Sequence, residues 1–264
     1  MPSGGSVVWV LLASAFLYCG GMALNDACDT AKDGVERPGR PVPSGRVSRT
    51  EAFAISIGLM IAGILAAGFA SPRCVFVSLL LCTAIVSYDA LLKNTALAPA
   101  LMGGCRALNI ALGYAASGVE WTAAPSAPFA CMWLYAAGVT LFAQNEARTN
   151  ARLRLFMGAI AVAMASAGVA ATTSYRNRSL GASVDLLPLV APALALSAWH
   201  AYLGFRAVRS PSPEMVQRCA GRFVLAIILL DASMLWSMRR PWEAIVVTAC
   251  LFPAASLSRL FRVT

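Results

Sequence analysis

Charge is scarce in this chain. Of its 264 residues only 12% are Asp, Glu, Lys or Arg, about half the share a water-facing domain carries. There is one histidine, His200, and the eight cysteines occur singly, without a CxxC pair. The shortage of charge excludes a soluble globular coat, and the scattered cysteines exclude a disulfide framework or a zinc site. The first residues lack a basic n-region and an A-x-A-like site before a polar segment, so no cleaved signal peptide is expected.

Apolar runs stand where the charge is missing. Residues of the set AVILMFWYC make up 59% of the chain, and the mean hydropathy is +0.69. The runs lie near 6–24, 52–70, 74–92, 97–117, 127–143, 155–171, 186–205, 223–237 and 244–257. A bilayer core is crossed by about 20 helical residues, and the period-two alternation of a membrane strand is absent. The expectation is an all-α polytopic membrane protein: a single transmembrane domain over 1–264 with about nine spans.

The formal net charge is +9, but the basic residues sit in short clusters between apolar runs, which argues against a nucleic-acid partner. With nine spans, one side collects Lys32, Arg37, Arg40, Arg46, Arg49, Lys93, Arg148, Arg152, Arg154, Arg206, Arg209, Arg218, Arg259 and Arg262. The other holds Arg73, Arg176, Arg178, Arg239 and Arg240. The positive-inside rule makes the richer side cytoplasmic. The expected setting is the lipid bilayer of a bacterial-type cytoplasmic membrane, with the polar clusters described next on its cytoplasmic face. The loop of about 34–48 should cap that face. Gly34, Pro38, Pro41 and Pro43 forbid a continuous helix there, and Ser48 with Glu51 reads as a capping box opening the next helix.

The first run passes directly into NDACDTAKD. Asn25, Asp29 and Asp33 are spaced i, i+4, i+8 and form one oxygen-bearing stripe at a helix end. Like charges at that spacing repel unless a cation lies between them, and Mg²⁺ suits a set of few carboxylates completed by phosphate and water. Glu146 and Asn150, in QNEARTN, repeat the i, i+4 spacing. Tyr88 and Lys93 close the third run in SYDALLKN, and Lys93 is one of two lysines in an arginine-rich chain. Arg106 and Asn109 lie one turn apart inside an apolar run, where a lipid-facing arginine costs roughly 2.5 kcal/mol or more. Arg106 must therefore face a cavity or an anion. His200 reads as a packed or interfacial side chain, not as a ligand.

The string NDACDTAKDGVERPGRPVPSGRVS resembles the aspartate-rich motif, NDxxDxxxD, and the following proline-rich segment of UbiA-type membrane prenyltransferases. SYDALLK, ALMGGCRALNIALG, ILLDA and RLFRVT look like the EboC branch, associated with small secondary metabolites. The resemblance implies a helical bundle around a central cavity open to lipid, and Mg²⁺-assisted ionisation of an isoprenyl diphosphate beneath a cytoplasmic cap. The prenyl group would then pass to a hydrophobic acceptor, aromatic or lipidic. It implies metal ligands Asn25, Asp29, Asp33, Glu146 and Asn150, catalytic Asp29, Asp33 and Lys93, and diphosphate contacts from Arg40, Tyr88, Lys93, Arg106 and Asn109. Three departures stand out. The second motif carries Glu146 and Asn150 where the family has aspartates, and Tyr88 and Lys93 are one residue further apart than YxxxK. Only 24 residues precede Asn25, so the helix that precedes this motif in the family is expected to be missing. A terpene cyclase of the same fold, or a non-catalytic protein that binds or moves a metabolite over a degenerate metal site, remain alternatives.

Overall fold

The structure, a computed structural model, describes residues 4–119, 126–144, 151–179 and 185–260, and every regular element among them is a helix. The chain divides into two compact units, Met1–Thr122 and Ala123–Thr264.

The first unit holds α1 (Gly4–Cys28), α2 (Thr30–Glu36), α3 (Arg49–Ala70), α4 (Pro72–Val86), a π-helical turn at Ser87–Leu92, and α5 (Ala98–Ala116). Helix α1 packs mainly on α3, through small residues. A Cβ at Gly63 would meet Leu17 Cγ at 2.8 Å, and one at Gly20 would meet the Ser56 carbonyl at 3.2 Å. Lipid tails are as apolar as leucine, so close backbone approach supplies the attraction that water would otherwise drive. Leu17, Ala67, Cys74 and Leu112 are fully or almost fully buried in the resulting core.

The acidic end of α1 does not stop at the bilayer edge. Asp29 interrupts the helix, yet its N–H still donates to Asn25 O (2.9 Å) and the Asp33 N–H to Asp29 O (2.8 Å), so α2 continues the same rail. Helix α2 runs through Gly34, two residues beyond where a break at that glycine would come, and ends at Glu36 before Pro38. The turns up to Ser48 follow, and the capping box forms there. Ser48 Oγ accepts from the Glu51 N–H at 3.2 Å, and Glu51 Oε2 accepts from the Ser48 N–H at 2.7 Å.

The second unit holds α6 (Ser126–Ala143), α7 (Ala151–Ser179), α8 (Leu187–Arg209), α9 (Pro213–Ser237), α10 (Pro241–Ala249) and α11 (Leu251–Leu260). Its polar interior is hydrogen-bonded throughout, as burial in hydrocarbon requires. His200 is fully buried, with Tyr135 Oη 3.1 Å from Nε2 and Ser166 Oγ 3.0 Å from Nδ1. Tyr135 Oη donates to Phe223 O at 2.8 Å. Pro192 lies inside α8 and offers no N–H to the carbonyl four residues earlier. The Trp236 indole N–H supplies the missing donor, reaching Pro188 O at 3.0 Å.

Helix α9 closes in a Schellman motif: the Arg240 N–H donates to Leu235 O and the Arg239 N–H to Trp236 O, both at 3.0 Å. The left-handed residue in that motif is usually glycine; here it is Arg239, at φ 59°. A side chain in that conformation costs about 1–2 kcal/mol.

The nine expected runs are all helical, but the count of nine spans is not reproduced. Among the described residues six helices are long and apolar enough to cross a membrane, covering 5–28, 49–70, 72–92, 152–177, 187–209 and 213–237. The runs 127–143 and 241–257 are shorter apolar helices, the latter interrupted at Cys250. Helix α9 begins ten residues before its apolar run, because Gln217, Arg218 and Arg222 lower the hydropathy without breaking the helix.

The close crossing of α6 and α7 supplies a test. A Cβ at Gly158 would lie 2.7 Å from the Phe142 backbone nitrogen and 2.8 Å from Gly138 O. Gly158→Val should therefore force α6 and α7 apart and destabilise by about 1–3 kcal/mol. Gly104→Ala, with open space at the same radius, should be neutral or stabilise by up to about 1 kcal/mol. Thermal unfolding in detergent measures both, and equal melting of Gly158→Val and wild type would refute the close crossing.

Candidate active site

Neutralising the acids at the end of α1 and in α2 is the problem this part of the molecule solves. Three carboxylates in one helical stretch, at a membrane boundary, are too costly to leave without counter-charge. Lys93, just beyond the π-turn, donates to both Asn25 Oδ1 and Asp29 Oδ2. Arg40, returning in the loop after α2, brings Nη1 to within 2.6 Å of Asp33 Oδ2 and 3.3 Å of Asp26 Oδ1. Asp33 is only 4% exposed, so its pairing with Arg40 is the more demanding of the two. Arg49, at the start of α3, donates through Nε to Ala27 O at 3.0 Å. The acids, the loop and the end of α4 thus form one cluster at one end of the first unit.

The π-turn accounts for the extra residue between Tyr88 and Lys93. In an α-helix a fifth step would swing Lys93 away from the face carrying Tyr88. A π-turn takes more residues per revolution, with i→i+5 bonding, and such turns are frequent at functional sites. Here the widened turn leaves Lys93 at the acids and Tyr88 and Asp89 within electrostatic reach of Asp29.

Asn109 lies elsewhere. Its Oδ1 accepts from Ser14 Oγ at 2.7 Å, roughly 16 Å of helix rise before Asn25 on α1. It ties α1 to α5 within the span and is not gathered into the acidic cluster. Arg106, half-buried, lies one turn nearer the start of α5. Glu146 and Asn150 fall outside the described residues. Two acids that the sequence reading left out of the site are present: Asp26 shares Arg40 with Asp33, and Asp89 acts electrostatically on Lys93 and Asp29. The i, i+7 spacing of Asp26 and Asp33 was the available signal for the first, and the i, i+4 spacing of Asp89 and Lys93 was the signal for the second.

Among the described residues no three His, Cys, Asp or Glu side chains form a metal-binding group. The donor chemistry nevertheless suits a hard cation: Asn25 Oδ1 and Asp29 Oδ2 already converge on one positive charge, the Lys93 ammonium. One carboxylate and one amide oxygen fit a divalent ion that keeps water and phosphate oxygens for its remaining positions.

The Arg40–Asp33 pair yields a direct prediction. Arg40→Ala leaves a buried carboxylate with its main partner gone and should destabilise by about 1–3 kcal/mol. Adding Asp33→Asn removes the orphaned charge and should restore much of that loss. A double-mutant cycle on the melting transition measures the coupling, and additive effects would show that the pair does not hold the loop.

The relatives bear on this site. Over 107 residues the chain is 40% identical to a digeranylgeranylglyceryl phosphate synthase of Methanothrix thermoacetophila, aligning 40% of this chain with 37% of that protein. It is 38% identical over 98 residues to the protein of the same name from Methanoregula boonei, aligning 36% of this chain with 35% of that one. The aligned part thus spans little more than a third of these curated relatives. A solved structure described as "Structural and mechanistic insights into the biosynthesis of Digeranylgeranylglyceryl phosphate synthase in membranes" matches 89% of this chain and 86% of its own, with a TM-score of 0.64 and 16% identity, and so shares the fold. Residues 1–228 match the UbiA prenyltransferase family, and the chain is an integral membrane protein belonging to that family.

Proposed function

We propose that this protein is an intramembrane prenyltransferase that ionises an isoprenyl diphosphate with Mg²⁺ and passes the prenyl group to a lipidic acceptor. The observation that carries the reading is the convergence of Asn25 and Asp29 on a single positive charge at the end of α1. The relatives are named for a glyceryl phosphate product. An acceptor bearing that group therefore ranks ahead of an aromatic acceptor in a secondary-metabolite setting. The distribution of basic residues supports a cytoplasmic active-site face.

In this reading Asn25, Asp29 and Asp33 would hold one metal ion at the α1–α2 end, and Glu146 and Asn150, the second motif of the sequence, would hold a second one. When bound, Mg²⁺ withdraws charge from the departing diphosphate and so eases its loss. The chain's own cations do the rest of the electrostatic work. Lys93 and Arg40 neutralise the acids in the absence of substrate. A diphosphate brings negative charge of its own, toward which the ammonium and guanidinium turn, joined by Arg106 and the Tyr88 hydroxyl. The C–O bond to diphosphate lengthens while these donors shorten their contacts to the leaving oxygens. The apolar walls of the spans keep water from the allylic carbon until the acceptor hydroxyl attacks it, its proton passing to the departed diphosphate. Asn109, engaged by Ser14, contributes by fixing α5 against α1.

The test is metal-dependent binding. Asp29→Ala should abolish Mg²⁺-dependent binding of an isoprenyl diphosphate while the protein still melts cooperatively, because a partly exposed ligand is removed without opening a core cavity. Asn150→Asp should tighten metal binding by replacing a neutral oxygen with a charged one, and Glu146→Gln should weaken it. Titration of each purified variant with and without Mg²⁺ decides the matter. Unchanged Mg²⁺-dependent affinity in Asp29→Ala would remove the metal assignment.

A further inference from the structure

The second unit carries a cleft of about 670 Å³ lined by α8, α9, α10 and α11. Its walls are helical stripes: Pro192, Leu196 and Trp199 on α8, and Leu229, Ser233 and Trp236 on α9, closed by residues of α10 and Phe252 of α11. The two hydroxyls at its surface are committed to their own helices. Ser233 Oγ donates to Leu230 O at 2.9 Å and Thr248 Oγ1 to Ala244 O at 2.7 Å. The cleft therefore presents mostly hydrocarbon, with both hydroxyls occupied, over roughly 10 Å of helix rise from Leu229 to Trp236. Such a surface takes an unbranched apolar chain and offers nothing to a polar substrate body.

Its end near Trp236 is different. The Trp236 ring is pinned by its bond to the Pro188 carbonyl that Pro192 leaves without a donor. Immediately beyond, in the turn joining two of the cleft's walls, stand Arg239 and Arg240. Both are exposed. Arg240 contacts Glu243 at 3.0 Å, an exposed pair that exchanges easily for another anion. The Arg239 guanidinium makes no ion pair or hydrogen bond with another described residue. Arg239 also holds the left-handed position where glycine would be free of strain. A strained residue whose charge has no partner among the described residues points to a role for that charge.

We propose that this cleft binds one acyl chain of an anionic membrane phospholipid, with the phosphate held by Arg239 and Arg240. The bilayer in which the protein sits supplies the ligand, the apolar stripes take the chain, and the paired guanidinium groups at the interface take the headgroup. The site is independent of the diphosphate chemistry at the end of α1.

The experiment uses the full chain, purified in detergent and stripped of lipid. Phosphatidylglycerol or phosphatidylcholine of equal chain length is added while melting temperature and bound mass are followed. Wild type should bind one phosphatidylglycerol and melt at higher temperature, with a weaker response to phosphatidylcholine. Arg239→Gly should melt at or above the lipid-free wild type, because strain is relieved, yet bind phosphatidylglycerol about fivefold more weakly. Ala249→Trp, at an exposed position of the cleft wall, should reduce binding of both lipids by filling the space. Wild-type affinity and headgroup preference in Arg239→Gly, or unchanged binding in Ala249→Trp, would overturn the proposal. So would recovery of an isoprenoid, or of a second copy of this chain protected by Ala249→Trp, as the cleft's occupant.

Discussion

The bond system that joins Lys93 to Asn25 and Asp29 sets the conditions for the rest of the first unit. An acidic helix end at a membrane boundary is stable only with positive charge beside it, and the nearest source in space lies at the end of α4, far along the sequence. Bringing that lysine into place requires α4 to finish against α1, and the π-turn provides the rotation. The second acid pair, Asp26 and Asp33, is met by Arg40, which folds the loop back over the helix end and positions the start of α3. Arg49, in turn, caps the Ala27 carbonyl. The fold of the loop and the meeting of α4 with the end of α1 thus answer one electrostatic demand, while small-residue packing holds α1 to α3.

The second unit meets the same demand by satisfying neutral groups internally. His200, Tyr135 and Ser166 exchange hydrogen bonds far from water, and the carbonyl exposed by Pro192 finds the Trp236 indole. Arg176 donates to Ser237 O at 2.6 Å, taking up a carbonyl at the end of α9. In hydrocarbon such groups have no solvent to fall back on, so their partners fix helix register as firmly as packing does.

Much of this was legible in the sequence, for physical reasons. Hydropathy shows spans because hydrocarbon admits little else than apolar helices, and the i, i+4, i+8 stripe is a property of helix geometry alone. Ser48 and Glu51 announced their capping box, and the lone histidine on an apolar helix proved to be a packed one. Other features were hidden. Hydropathy cannot tell a spanning helix from a shorter apolar one, so among the described residues six helices long and apolar enough to span stand where nine spans were expected. Asn109 carried a polar label that reads equally well as ligand or as clamp, and its partner Ser14 lies on another helix. The π-turn left only an irregular Tyr88–Lys93 spacing as its trace. Asp89, four residues before Lys93, carried the spacing of an ordinary helix-surface ion pair, and its reach to Asp29 on another helix left no trace in the sequence.

The central claim is that the acids gathered around Lys93 and Arg40 serve metal-assisted transfer from an isoprenyl diphosphate. The most direct measurement is product formation by the protein reconstituted in lipid vesicles. The vesicles are given an isoprenyl diphosphate and a glyceryl phosphate acceptor, with Mg²⁺ or with excess chelator, and the lipid extract is read by mass spectrometry. The account predicts a prenylated acceptor that appears with Mg²⁺, disappears with chelator and returns when Mg²⁺ is restored. Product formed equally well in chelator, or no product from the metal-loaded wild-type protein with any prenyl length tried, would contradict it.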